Sequence, residues 1–239
     1  MKAMILAAGL GTRLQELTQY MPKALVKVDG ITLLERAILK LKQAGVDEIV
    51  INAHHFAHQI VDFVSQHDFG VNIHISLEED MLLDTGGGLK RAMSFFDKMP
   101  FFVHNVDIIS DIDLQKMFHF HCRQKALATL AIRNRPMQRY LLFDDNFQLC
   151  GTGNLKTNRN SPIPTIPTNA LLHRFGFSGI QVVSPELCSF MPAKDVFSII
   201  DVYLSAAAQS QKIIGFLHNE GSWADMGKVE DVVCFNKKC

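Results

Sequence analysis

Residues 4–23 read M-I-L-A-A-G-L-G-T-R-L-Q-E-L-T-Q-Y-M-P-K, and the fold is decided there. Ala3 to Ala8 is an unbroken apolar run, the length of one strand buried on both faces of a parallel sheet. It breaks into Gly9-Leu10-Gly11-Thr12-Arg13, where two glycines let the backbone turn sharply and admit a ligand with no Cβ in the way. Thr12 adds a hydroxyl, and Arg13 and Lys23 add cations on either side of a short polar stretch. Small residues, free N–H groups and two cations suit a phosphate. Two other phosphate loops are excluded: Leu14 stands where the dinucleotide fingerprint needs glycine, and no Gly-Lys-Ser/Thr follows the strand.

Outward from this stretch, apolar spacing predicts a helix over Leu34, Ala37, Ile38 and Leu41, stopped at Gly45. Ala24 to Val28 reads as extended. A second buried strand is predicted over Glu48–Ala53, a helix through Ile60, Phe63 and Val64, and a third strand over Val71–Leu77. This alternation argues a doubly wound sheet with right-handed crossovers. Asp84-Thr85-Gly86-Gly87-Gly88 opens a further helix. Glycine there costs about 1 kcal/mol per residue relative to alanine, so something is expected close against that backbone, such as an anion or the edge of a base. Pro100–His104 reads as a strand ending in Asn105-Val106-Asp107, which puts Asp107 beyond a strand's carboxyl end, where α/β sheets bind ligands. Asp113 is placed to cap the next helix.

The second half changes character. Strands are predicted over Ala126–Arg133, Arg139–Phe143, Phe147–Cys150, Phe175–Val183 and Lys212–Leu217, with a helix over Val196–Ala208 and another after Trp223-Ala224-Asp225-Met226-Gly227. Residues Asn154 to Asn169, rich in Asn, Pro and Thr, read as a long loop or lid. No internal repeat or domain boundary interrupts the chain, so residues 1–239 are expected to form a single domain.

Bulk composition narrows the function classes. Lys plus Arg equals Asp plus Glu at 24 each, so there is no basic field for nucleic acid, and phosphate affinity must be local. Five scattered cysteines (Cys122, Cys150, Cys188, Cys234, Cys239) show no metal or disulfide spacing, which predicts a reduced, cytoplasmic setting. No run approaches the roughly 18 apolar residues of a membrane span. His54, His55 and His58 lack a completing carboxylate or cysteine and read as a solvated helix start. His119 and His121 read as surface or partly buried, and Cys188 has no neighbouring base. Trp223 reads as core packing, a wall behind Asp225, or both.

L-A-A-G-L-G-T-R-L, P-K-A-L, D-T-G-G-G, N-V-D and W-A-D-M-G, in that order along the chain, resemble the motifs of the sugar-phosphate nucleotidyltransferases, the NDP-sugar pyrophosphorylases. Within that family the chain most resembles short N-acetylmuramate-1-phosphate uridylyltransferases and mannose-1-phosphate guanylyltransferase-like proteins. The resemblance implies a three-layer α/β/α, Rossmann-like fold with a mixed, mostly parallel central sheet. It implies a nucleotide-binding half over about residues 1–113 and a sugar-phosphate half over about 114–239. It further implies an NTP and a sugar-1-phosphate as partners, Mg²⁺ as cofactor, and a monomer or homodimer. Leu6, Ala7, Ala8 and Gly9, with Gly87 and Gly88, would embrace base and ribose, and Thr85 and Asn105 would also bind the nucleotide. Gly11, Thr12, Arg13 and Lys23 would hold the triphosphate, and Asp107 and Asp225 the metal. Gly151, Phe177, Ser178 and Gly179 would lie near the sugar. Val106 stands where the family usually has glycine. For the sugar phosphate, Lys156 and Arg174 are candidates by position. The chain ends soon after W-A-D-M-G, so contacts from the family's C-terminal extensions are not expected. Rival readings are transfer of CMP to phosphocholine, which would need an aromatic box for the ammonium, a dehydrogenase, which the missing third glycine disfavours, and a nucleotide sensor without turnover, suggested by Val106.

Overall fold

The computed structural model describes residues 1–157, 159–167 and 169–237. The chain runs from β1 (Lys2–Leu6) through a small antiparallel hairpin, β2 (Lys27–Val28) and β3 (Ile31–Thr32), into α1 (Leu33–Gln43). β4 (Glu48–Ala53), α2 (Ala57–Ser65), β5 (Asn72–Leu77), α3 (Asp84–Ala92) and β6 (Phe101–Asn105) follow. β1 is central, parallel to β4 on one side and to β6 on the other, and β4 carries β5 in parallel. Such strands are buried on both faces, which explains the unbroken apolar runs that mark them.

After β6 come β7 (Ile108–Ser110), α4 (Leu114–Gln124), β8 (Ala128–Arg133), β9 (Arg139–Phe143), β10 (Leu149–Asn154), β11 (Arg159–Pro162) and β12 (His173–Val183). The chain closes with α5 (Ile199–Ala208), β13 (Ile213–Leu217), β14 (Trp223–Asp225) and α6 (Val229–Lys237). β12 runs antiparallel between β6 and β8, and β13 pairs in parallel with β8. Hence β5, β4, β1, β6, β8 and β13 all point one way and β12 opposes them. β9, β10 and β11 extend the sheet from the N-terminal half of β12.

The pleat sorts the core into two layers. Ala3, Ile5, Ile49, Ile51 and Phe102 face α1, α2, α4 and α6 through Leu34, Ile38, Ile60, Met117 and Val232. Met4, Val50, Phe101 and Val103 face α3 and α5 through Leu89, Ala92, Val202 and Tyr203. Alternate residues of one strand therefore serve opposite helix layers, which gives the three-layer α/β/α architecture. Caps fix two helix starts: Thr32 Oγ1 accepts from Glu35 N at 3.1 Å, and Asp113 Oδ1 accepts from Lys116 N at 2.9 Å, as expected for Asp113.

Several expectations need correction. Ala24–Val28 is not one extended piece: a 3-10 turn over Lys23–Leu25 precedes β2. The stretch read as a long loop contains β11, paired with β10; its Asn158 and Thr168 lie outside the described residues, as does Cys239. Phe147 sits at φ 56° in the turn, so the strand there begins at Leu149. His121 is buried rather than superficial, its ring bridging Thr129 Oγ1 at 2.9 Å and Ser184 Oγ at 3.0 Å. Apolar patterning missed β7 and β14 altogether, each only three residues long.

Candidate active site

β1 ends at the centre of the sheet's carboxyl edge, and the loop leaving it turns on Gly11, whose φ of 66° favours glycine. Gly11 O accepts from Leu14 N at 2.7 Å and from Thr18 Oγ1 at 3.0 Å. Leu14, the residue that rules out a dinucleotide fingerprint, is fully buried and anchors the loop in the core. Thr12 and Arg13 are exposed at the start of the Thr12–Thr18 3-10 helix. Ala7 N donates to Asn52 Oδ1 at 2.7 Å, and Asn52 Nδ2 donates to Glu78 Oε1 at 2.6 Å. The other carboxylate oxygen of Glu78 accepts from Leu83 N at 2.9 Å. One buried Asn–Glu pair thus ties the loop after β1 to the start of α3.

Leu6, Ala8, Gly9, Lys23, Asn52, Thr85, Asn105, Val106 and Asp107 line a cleft at this edge. Half of the predicted nucleotide contacts (Leu6, Ala8, Gly9, Lys23, Thr85 and Asn105) therefore share one cavity, while Thr12, Arg13, Gly87 and Gly88 are not in its lining. Ala7 and Gly11 shape the loop behind it. An ideal Cβ at Gly9 would meet nothing within 4 Å, so its backbone faces open space. The glycines of α3 behave differently. A Cβ at Gly86 would run into the Phe197 ring, and one at Gly87 would overlap the Asp195 carbonyl oxygen. A Cβ at Gly88 would come within 2.7 Å of Asn52 Nδ2 and Glu78 Oε1. The close approach these glycines permit is made by the chain itself. Thr85 Oγ1 accepts from Ile199 N at 3.0 Å, capping the first turn of α5 from beside the cleft. Val106 is buried in the core while bordering the same cleft.

Asp107 and Asp225 come from distant parts of the chain and meet through the small β7–β14 ladder. In that ladder Asp225 is opposite Ile108, and Met226 N donates to Asp107 O at 2.8 Å. Lys23 Nζ donates to Asp107 Oδ2 in a short ion pair. Burial, then the Asp107 charge, pushes the Asp225 carboxyl above the usual carboxylate range, with Lys23 and Arg13 pulling against both. Asp225 Oδ1 is buried with no hydrogen-bond partner. A partnerless, half-buried carboxylate beside another is short of a cation, so the residues present fit a divalent metal. Gly227 has room for no side chain: its Cβ would lie 2.7 Å from both Asp225 Oδ1 and an Arg13 terminal nitrogen.

On the far side of Asp225 is a wider hollow lined by Arg13, Arg135, Trp223, Asp225, Lys228 and Asp231, among others. Trp223 Nε1 donates to Ser178 O at 3.0 Å, and Arg135 donates to Phe177 O at 3.1 Å, so the backbone of residues 177–178 holds two side chains of its lining. Trp223 is indeed the wall beside Asp225. The predicted sugar-side residues disperse. Gly179, at φ 75°, makes room for Ile108 and Asn105. The Ser178 hydroxyl is fully buried and bonded to His218 Nε2 at 2.8 Å. The Phe177 side chain faces a separate hollow, and Gly151 pairs with Pro162 on the outer strands. Arg174 lies over Tyr140 at 4.9 Å, and Lys156 is in an exposed turn; neither reaches the carboxylates' cavities. Sequence reading missed Asn52, Glu78 and Arg135. A lone polar residue in the apolar strand E-I-V-I-N-A signals the first; the others carry no local signal.

The sequence profile of the nucleotidyl transferase family matches residues 2–140. An N-acetylmuramate alpha-1-phosphate uridylyltransferase from Neisseria meningitidis serogroup B is 33% identical over 232 residues, covering 96% of this chain and 94% of that protein. A UTP–glucose-1-phosphate uridylyltransferase from Synechocystis is 27% identical, with 97% of this chain matching 61% of its length. Among solved structures, HddC from Yersinia pseudotuberculosis complexed with GMP-PN superposes with a TM-score of 0.77 at 22% identity, covering 99% of this chain and 98% of that one. The loop, the carboxylate pair and these likenesses converge: the chain belongs to the sugar-phosphate nucleotidyltransferase family.

Proposed function

We propose that this enzyme condenses an NTP with a sugar-1-phosphate, releasing pyrophosphate, with Mg²⁺ as its cofactor. The observation that carries the reading is the convergence of Lys23 and Asp107, from the cleft after β1, with Arg13 and Asp225, from the hollow next to it. An oxygen of the sugar-1-phosphate attacks the α-phosphorus, and the bond to pyrophosphate breaks. The nucleophile is already an anion, so no general base is needed, and catalysis rests on positioning and charge. The loop through Gly9 and Gly11 offers bare backbone to the nucleotide. Arg13 and Lys23 offset charge on the departing pyrophosphate. Asp107 and Asp225 would hold the metal, which when bound neutralises phosphate oxygens. On this reading residues 1–239 act as a single domain, with the nucleotide on the half ending near residue 113.

The likeness to the Neisseria protein makes UTP with N-acetylmuramate-1-phosphate the first pair to assay. Pyrophosphate release should be measured with UTP, CTP, GTP, ATP and dTTP against several sugar-1-phosphates and phosphocholine, with and without Mg²⁺. Release that needs one acceptor and Mg²⁺ is the expected result. Silence from a protein that still binds NTP would favour the sensing alternative, for which the observation is Val106 at the cleft wall. Against phosphocholine, the half-buried Trp223 of the second hollow is already covered by a guanidinium, which repels a quaternary ammonium.

A further inference from the structure

Neither Lys156 nor Arg174 reaches the second hollow; Arg13 and Lys228 line it, and an acceptor that brings its own phosphate beside Asp107 and Asp225 calls for a further cation held in place there. The structure supplies one from an unexpected place, the end of β8. Arg135 lies with its guanidinium carbon 4.5 Å from the centre of the Trp223 ring, and that of Arg133 is 6.0 Å from the same ring. Gly176 makes this pose possible, since a Cβ there would lie 2.7 Å from Arg135 Nε. The guanidinium is held as well as stacked, through its bond to Phe177 O. Among the described residues, neither arginine has a carboxylate within ion-pair distance.

Unmet hydrogen-bonding demand is concentrated here. Seven buried side-chain polar atoms among the described residues lack a partner, and four of them belong to this corner: Arg133 Nη1, Arg135 Nε, Asp225 Oδ1 and Ser110 Oγ. Ser110 stands opposite Trp223 in the β7–β14 ladder, and Asp225 lies two residues further along the same strand. Buried donors without acceptors are costly and ordinarily satisfied. A planar cation stacked on an aromatic and lining a solvent-accessible hollow, with a second guanidinium near the same ring, matches an oxyanion that donates nothing and accepts several bonds. Arg133 adds charge without entering the hollow's lining, so Arg135 makes the direct contact.

We propose that Arg135, laid on Trp223 and backed by Arg133, is the clamp for the anionic group of the acceptor. The proposal rests on the nucleotidyltransferase reading and assigns the acceptor to the hollow beyond Asp225, while the nucleotide occupies the cleft before it. The oxyanion is the phosphate of any sugar-1-phosphate or the carboxylate of an acidic sugar such as N-acetylmuramate-1-phosphate. Both share the same bidentate chemistry.

Trp223 is the chain's single tryptophan, so its fluorescence reports this spot without interference. Wild type, Arg135→Lys and Arg135→Met should be titrated with N-acetylmuramate-1-phosphate and with glucose-1-phosphate, following Trp223 emission, and melting should show that each variant is folded. Steady-state pyrophosphate release then gives separate KM values for acceptor and NTP. Losing charged hydrogen bonds to an oxyanion should weaken acceptor binding about ten- to a hundredfold in Arg135→Met, with NTP KM unchanged and Arg135→Lys recovering part. Weakening toward both acceptors places the phosphate at Arg135; weakening toward the muramate alone places the carboxylate there. Acceptor titrations identical in all three proteins, or NTP KM rising in parallel, would overturn the clamp. No turnover by wild type with any pair would instead overturn the function reading, while the emission titration still decides the clamp.

Discussion

Two glycine-rich stretches flank the candidate nucleotide cleft, and they use glycine for opposite ends. At the loop after β1, Gly9 presents bare backbone to open space. At the start of α3, Gly86 and Gly87 are filled by the Phe197 ring and the Asp195 carbonyl, so the missing side chains let two parts of the fold lock together. A glycine run announces a close approach without naming the visitor. In the first stretch the space is open, and on the proposed function a nucleotide would take it; in the second the visitor is the chain's own segment before α5, fastened further by Gly86 N to Phe197 O at 2.9 Å.

The largest effect is expected where the open loop meets the carboxylates. Asp107→Ala, Asp225→Ala or Arg13→Ala should each lower turnover by about a hundredfold or more, on the order of 3 kcal/mol of lost transition-state stabilisation, with melting showing an intact fold. Near-normal turnover of Asp107→Ala would remove it from the catalytic set. Next comes the contrast itself. Gly87→Ala should lower stability by about 3 kcal/mol, or roughly 6–12 °C in Tm for a chain of this size. Gly9→Ala should leave Tm within about 2 °C and raise KM for the NTP about tenfold, through crowding at a surface meant for a ligand. The reverse pattern would exchange the two roles.

Asn52→Ala tests the link between the stretches, for it leaves the Ala7 N–H and one Glu78 oxygen unpaired. Its cost in stability should be about 1–3 kcal/mol, read by urea unfolding, with a rise in NTP KM as the loop loosens. A further effect lies away from both. Burial pushes the His121 and His218 imidazoles down to about 4 from an ordinary 6.5. Their contribution to stability is therefore fully present above pH 6.5 and is lost as pH falls toward 4. Tm should fall over that window, less steeply in His121→Gln; an unchanged slope would show that His121 does not titrate on unfolding.

The N-terminal half was legible because its buried parallel strands and amphipathic helices write their periods into the sequence. Glu48–Ala53 and the Leu34–Leu41 stripe form the predicted elements, and the first strand forms over Lys2–Leu6, leaving Ala7 and Ala8 to the loop. The Arg13, Lys23 and Asp107 grouping was legible for a second reason, since each follows a strand or turn at the same sheet edge. The pairing of β7 with β14 was not legible. Three residues hold no period, and what joins Ser110 to Trp223 is tertiary. Arg135 was missed because a cation in a polar loop resembles any surface cation until the tryptophan beneath it is seen. The sugar-side expectations dispersed for a related reason: Ser178, Gly179 and Gly151 occupy positions set by strand pairing, where their small size relieves internal crowding or satisfies His218.

The β7–β14 ladder also has a bearing on time. Asp107 leaves the ribosome long before Asp225, and at about 5–20 residues per second the wait between them is on the order of ten seconds. During that interval the nascent chain holds a complete β1 loop, Lys23 and one carboxylate, but no second one. Contacts of such long sequence separation close late, because their chain entropy is the hardest to overcome. The enzyme therefore gains its full acidic pair only when its last strand docks. Until then, on the proposed function, the cleft would lack one of the two carboxylates that hold the metal.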